Sequence, residues 1–207
     1  MWWSTLHHTR HATQPAQWRF APDTARYPYG LDPLRFASWG ESAGGHLAAM
    51  LGTVGHERNF EVGEHLDQSS RVQAVLDFFG PTDFLQMDAQ RLPDGQIHNV
   101  PDSPESQLVG GPIRERPAGV ARANPVTYVT PEAPPFLIVH GDRDPLVPYG
   151  QSVLLVDALE AAGVPVTFYT VVGAGHGGFD DPQIKSLVHT FLATHLMYSG
   201  PRFLGPP

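Results

Sequence analysis

The chain has 207 residues, a hydrophobic fraction of 41%, a formal net charge of −8 and no cysteine. That length sustains one buried core, and the acidic balance argues against nucleic acid or an anionic membrane surface as partner. With no cysteine, disulfides, thiolate catalysis and cysteine metal sites are excluded, and no run of about 18 apolar residues is present to span a membrane.

Residues 1–26 show neither a period of 2 nor one of 3.6, and are expected to form a poorly ordered segment. His7, His8 and His11 lie in it and read as part of that tail rather than as a metal site. No apolar h-region is found there, so the chain as written carries no signal peptide, and cytoplasmic and secreted locations both stay open. Residues 27–200 read as one α/β core without repeats, with 201–207 as a tail. Arg35 to Trp39 is a short strand, Gly40-Glu41-Ser42-Ala43-Gly44 a sharp turn, and Ala43 to Leu51 a helix leaving it. Val72 to Phe79 is a buried strand stopped by Gly80-Pro81. From Pro81 to Pro134 there is no clear strand. Connections of that length usually carry function, so 81–134 is expected to be a cap or substrate-pocket excursion. Ser103-Pro104 marks a short helix within it, with proline at the first helical position.

Pro135 to His140 is a continuous apolar run, suited to a strand covered on both faces. Gln151 to Ala162 is a helix closed by Gly163 and Pro165. Val166 to Val172, rich in β-branched and aromatic residues, is a further strand. In the last helix Ile184, Leu187, Val188, Phe191 and Leu192 recur at i, i+3, i+4, i+7 and i+8, with Asp181 as cap and Pro182 at the first position.

The turn at Ser42 spells G-x-S-x-G. With 21 glycines in the chain, chance supplies about 0.1 such matches, so the context must decide. A serine held on a strand-to-helix turn exposes its hydroxyl for attack on an ester carbonyl. It becomes a nucleophile only when an imidazole takes its proton and a carboxylate orients that imidazole. Both partners are at hand past the ends of later strands, where open α/β sheets place their sites. Asp142 and Asp144 follow the Pro135–His140 strand, and strand-end geometry does not separate them. His176 follows the Val166–Val172 strand. His46 is expected to be a packed, hydrogen-bonded histidine, because its spacing from Ser42 points along the helix axis. Glu41 reads as a supporting residue, and Asp180 follows His176 too closely to face its ring.

Trp39 to Ala48 resembles the elbow of the hormone-sensitive-lipase-like branch of α/β-hydrolases. With Asp77 to Phe84, Ala123 to Val129 and His140 to Pro148, the chain is similar to bifunctional feruloyl and acetyl-xylan esterases, from about Tyr27 to about His195. The resemblance implies a three-layer α/β-hydrolase fold with a mostly parallel sheet. It implies Ser42 as nucleophile, Asp144 as the acid in a His-Gly-x-x-Asp pattern, His176 as base, and the Ala43 N–H as one oxyanion donor. It also implies a serine carboxylic-ester hydrolase without cofactor or metal, acting on acetyl- or feruloyl-type esters, as small molecules or linked to polysaccharide. Homo-oligomerisation stays open. One departure stands out. Only 41 residues precede Ser42, too few for the strands, helices and His-Gly-Gly loop that relatives place there, so the fold is expected to be N-terminally truncated. The competing reading is an inactive fragment or a non-catalytic binding relative on the same fold.

Overall fold

A computed structural model describes residues 34–197 together with Asp32. The expectations for 1–26, including His7, His8 and His11, and for 201–207 fall outside the described residues.

Four strands form the sheet: β1 (Ala37–Glu41), β2 (Ala74–Phe78), β3 (Phe136–Gly141) and β4 (Val166–Val171). They lie in the order β1-β2-β3-β4, with every neighbouring pair parallel. Helix α1 (Ala43–Thr53) joins β1 to β2, α2 (Phe84–Gln90), α3 (Pro104–Val109) and α4 (Pro117–Ala123) lie between β2 and β3, α5 (Gly150–Ala161) joins β3 to β4, and α6 (Pro182–Leu192) follows β4.

The central strands β2 and β3 are buried at every residue, as their continuous apolar runs require. Alternation sends Val75, Phe136 and Ile138 to the face where Ala48, Ala49, Leu155 and Leu159 of α1 and α5 pack. Leu76, Phe78, Leu137 and Val139 point the other way, against Ile184 and Phe191 of α6. Each fully buried side chain of this kind is worth about 1.5–3 kcal/mol, so the two middle strands anchor the three layers. A third cluster, Phe84, Met87, Ile113, Val120, Ala123 and Val147, gives the 81–134 excursion a small core of its own. Caps fix its helices: Asp83 accepts the Leu85 N–H, and Ser103 accepts the Ser106 N–H with Pro104 following.

Several boundaries move by one or two residues from those expected, and two of these shifts have a visible cause. The first strand starts at Ala37 rather than Arg35, because the Arg35 N–H turns back to the Asp32 carbonyl and the Phe36 N–H is taken by the Gln73 side chain. The second strand ends at Phe78, because Phe79 adopts φ 45° and leaves the sheet.

Candidate active site

Ser42 sits between β1 and α1 with φ 55° and ψ −120°, a region costly for any residue with a β-carbon. The strain is held by two backbone bonds: the Ser42 N–H donates to the Phe78 carbonyl at 2.8 Å, and the Ser42 carbonyl accepts from His46 N–H at 3.0 Å. The motif's glycines are not equivalent. A β-carbon on Gly40 would run into the Gly44 carbonyl, and one on Gly45 into the Asp77 carboxylate and the Phe78 carbonyl. One on Gly44 would meet nothing. Close approach of α1 to β1 and β2 therefore requires Gly40 and Gly45.

The Ser42 hydroxyl does not cap α1. It lies 3.0 Å from His176 Nε2, and His176 Nδ1 lies 2.7 Å from Asp144 Oδ2. Ala43 opens α1, so its N–H belongs to the first turn, where no intrahelical acceptor exists.

Asp144 is buried, and its carboxylate is fully solvated by protein. Oδ1 accepts the N–H groups of Leu146 at 2.8 Å and Val147 at 2.9 Å, while Oδ2 faces both His176 and, at 3.2 Å, His140 Nε2. Burial pushes its pKa up, but hydrogen bonds from His140 and His176, the His176 charge and the Val147 N–H more than offset this and hold it at about 2. It is therefore a carboxylate at any working pH.

Asp142 does different work. Its Oδ1 accepts the Gly173 N–H at 2.6 Å, and the next residue, Arg143, donates its N–H to the Ala174 carbonyl at 3.0 Å. These bonds join the loop after β3 to the loop that carries His176. The two aspartates that strand-end geometry left unseparated are thus separated by contact.

His46 is buried and bonds through Nδ1 to the Pro81 carbonyl at 2.8 Å, and burial lowers its pKa. Glu41 ends β1 on an exposed position. Asp180 makes no contact with His176 among the bonds of that ring.

Two residues at the site escape a reading of the motifs. Phe79, at positive φ, sets its ring edge-on to His176 with centroids 4.7 Å apart, and packs against Phe179 at 5.4 Å. It walls the imidazole on the side of the sheet. His140, with no solvent exposure, reaches Asp144 from behind. An aromatic pair before Gly80-Pro81, and a histidine ending an apolar strand, are the only local signals for them. Among the described residues no group of three His, Cys, Asp or Glu could hold a metal ion, and no helix is long and apolar enough to cross a membrane.

A parallel sheet with a strained serine after β1, Asp144 on the loop after β3 and His176 on the loop after β4 defines an α/β-hydrolase. Solved structures agree. A truncated form of a carbohydrate esterase from gut microbiota superposes with a TM-score of 0.73 at 32% identity, over 84% of this chain and 64% of that one. The butyrate-bound Est2 esterase of Thermogutta terrifontis does so with a TM-score of 0.60 at 26% identity, over 83% of this chain and 61% of its own. The chain belongs to the BD-FAE family, whose model matches residues 18–159. "Probable carboxylic ester hydrolase LipM" of Mycobacterium tuberculosis is 32% identical over 165 residues, 80% of this chain and 37% of LipM. The chain thus spans little more than a third of the length of that relative.

Proposed function

We propose that this chain is a serine carboxylic-ester hydrolase in which Ser42 is the nucleophile, His176 the general base and Asp144 the residue that orients His176. The observation that carries the reading is the short line of contacts from the Ser42 hydroxyl through His176 to Asp144, 3.0 Å and 2.7 Å, at a serine held in a strained conformation.

The steps follow from that line. The Ser42 oxygen attacks the ester carbonyl as its proton passes to His176 Nε2. Charge collects on the carbonyl oxygen, toward which the Ala43 N–H and the first turn of α1 supply positive potential. The carbon–oxygen bond to the alcohol breaks, and His176 returns its proton to the leaving oxygen. Water, deprotonated by His176, then attacks the acyl-enzyme, and Ser42 recovers its proton. Asp144, ionised throughout, fixes the Nδ1–H tautomer of His176 and stabilises the imidazolium that forms.

The acyl group would be short or aromatic, of acetyl or feruloyl type, on a small molecule or a polysaccharide. Support comes from the carbohydrate esterase and the butyrate-bound esterase to which the chain is similar. The 81–134 excursion would line the pocket. Its Gln96 N–H bonds the Pro145 carbonyl at 2.8 Å, which brings the exposed Ile97 up to the loop holding Asp144 and the exposed Leu146.

Hydrolysis of p-nitrophenyl acetate by this chain, measured beside Ser42→Ala, tests the reading. Turnover that disappears in the variant supports it. Equal rates in the two, or none in either, would leave the chain as a binding protein or an inactive piece of a longer enzyme.

A further inference from the structure

His140 lies next to the end of β3 with its ring wholly buried, and both ring nitrogens have partners within hydrogen-bond distance. Its Nε2 lies 3.0 Å from the Val147 carbonyl and 3.2 Å from Asp144 Oδ2. Both are acceptors, since a carbonyl and an ionised carboxylate have nothing to donate. The proton of a neutral ring must therefore sit on Nε2 and be shared between them. Nδ1 is then a bare acceptor, and the Ser152 hydroxyl on α5, 2.7 Å away and itself buried, donates to it. The result is one directed chain: Ser152 O–H to His140, His140 Nε2–H to Asp144, His176 Nδ1–H to the same Asp144 oxygen, and Ser42 O–H to His176.

We propose that His140 is a positioning residue for the reaction: its Nε2–H donates into the Asp144 oxygen that holds His176, and this second donor tempers how strongly Asp144 holds the His176 ring. The proposal rests on the assignment of Ser42, His176 and Asp144 as the reacting group. Its physics is a competition for one oxygen. A carboxylate whose charge is already drawn toward a second N–H stabilises an imidazolium less, so removal of that donor should tighten the hold of Asp144 on a charged His176 ring. The same bond fixes Oδ2 in place, because Oδ1 is committed to the Leu146 and Val147 amides.

The other groups facing this chain are few. Asp77 on β2 interacts electrostatically with His140, and Tyr149 at the head of α5 sets its ring 5.7 Å from the His140 ring, with its hydroxyl on Thr170. Phe79 covers both imidazoles from one side. His176 itself faces Asp144, Ser42 and Phe79.

The test compares His140→Leu, His140→Gln and Ser152→Ala with the parent chain, reading the acid limb of kcat/KM on p-nitrophenyl acetate and the ¹⁵N titration of His176. His140→Leu should move both upward by about 0.5–1 pH unit with KM unchanged. His140→Gln, whose amide places an N–H where Nε2 stood, should recover much of that shift. Ser152→Ala, which weakens the donor without removing it, should move the limb in the same direction by less. Activity that falls while the limb and the titration stay where they were would reduce His140 to packing and overturn the proposal. Should His140→Leu fail to fold, the parent spectrum decides: a neutral His140 protonated on Nε2 supports the chain of donors, and protonation on Nδ1 overturns it. The ¹⁵N titration needs no turnover, so a chain inactive on the ester would defeat the hydrolase reading while still answering this one.

Discussion

The backbone of Gly45 lies directly against the carboxylate of Asp77, leaving no room between α1 and β2 for even a methyl group. The serine turn is therefore set by how closely the helix can approach the sheet, and the two motif glycines and Gly45 should respond differently. Gly40→Ala and Gly45→Ala are expected to destabilise by about 1–3 kcal/mol or more and to cost activity, through overpacking. Gly44→Ala, with open space around its β-carbon, is expected to leave both close to the parent, measured by denaturant unfolding and esterase assay. Equal losses at all three positions would contradict this account.

Asp77 brings a pH dependence of its own. Burial raises its pKa to about 6, with the Gly80 N–H and the electrostatic influence of His140 pulling the other way. Unfolded, it would titrate near about 4, so the native state binds the extra proton between these values. The stability this contributes is complete below about pH 4 and is lost as pH rises through about 6. Asp77→Asn keeps an oxygen for the Gly80 N–H and cannot ionise. It is expected to flatten that slope and to be more stable than the parent at about pH 7, by roughly 1–3 kcal/mol. Parallel stability curves for the two would sink the prediction.

Asp142 and Asp144 offer a paired comparison. Asp144→Asn leaves the geometry in place but disfavours the His176 tautomer, and should lower kcat by about 10³–10⁴. Asp142→Asn retains the acceptor for the Gly173 N–H and should stay near the parent. Asp142→Ala frees the loop that carries His176 and should cost about tenfold in kcat with little change in KM. A large loss in Asp142→Asn would reassign the acid.

On β1, which among the described residues pairs only with β2, Trp39 stacks on Phe78 yet stays 55% exposed. Leu34, in the segment leading into β1, is 70% exposed. An open strand edge next to apolar side chains is an association hazard. The chain is expected to self-associate as its concentration rises, and Trp39→Lys to reduce this. Light scattering that returns a clean monomer for the parent at high concentration would contradict it.

How far these features could be read in advance varied with their range along the chain. The serine turn, the caps at Ser103 and Asp181 and the two middle strands depend on residues a few positions apart, and so they stand in the sequence. The choice between Asp142 and Asp144 depends on how one turn aims two side chains at a loop more than thirty positions away. Spacing carries no such information; the fold places Asp144 against His176 and Asp142 against the Gly173 N–H. Phe79 was beyond reach for another reason. Its positive φ is imposed by the Val139 carbonyl, which takes its N–H at 2.8 Å, and by the rings around it, against the preference of phenylalanine itself. His140 looked like the end of an apolar strand, and only the packing of α5 behind it shows that its ring nitrogens are all spoken for.

Val147 belongs to two assemblies at once: its side chain fills the small core beneath α2 and α4, and its N–H steadies Asp144. If the excursion lines the pocket as proposed, substrate preference and catalytic competence are not separate traits in this molecule. Redesign of the excursion to admit a bulkier acyl group would reach Asp144, the proposed partner of His176, through that one residue. Libraries aimed at specificity should hold Val147 and its immediate neighbours constant, or select for rate and selectivity together.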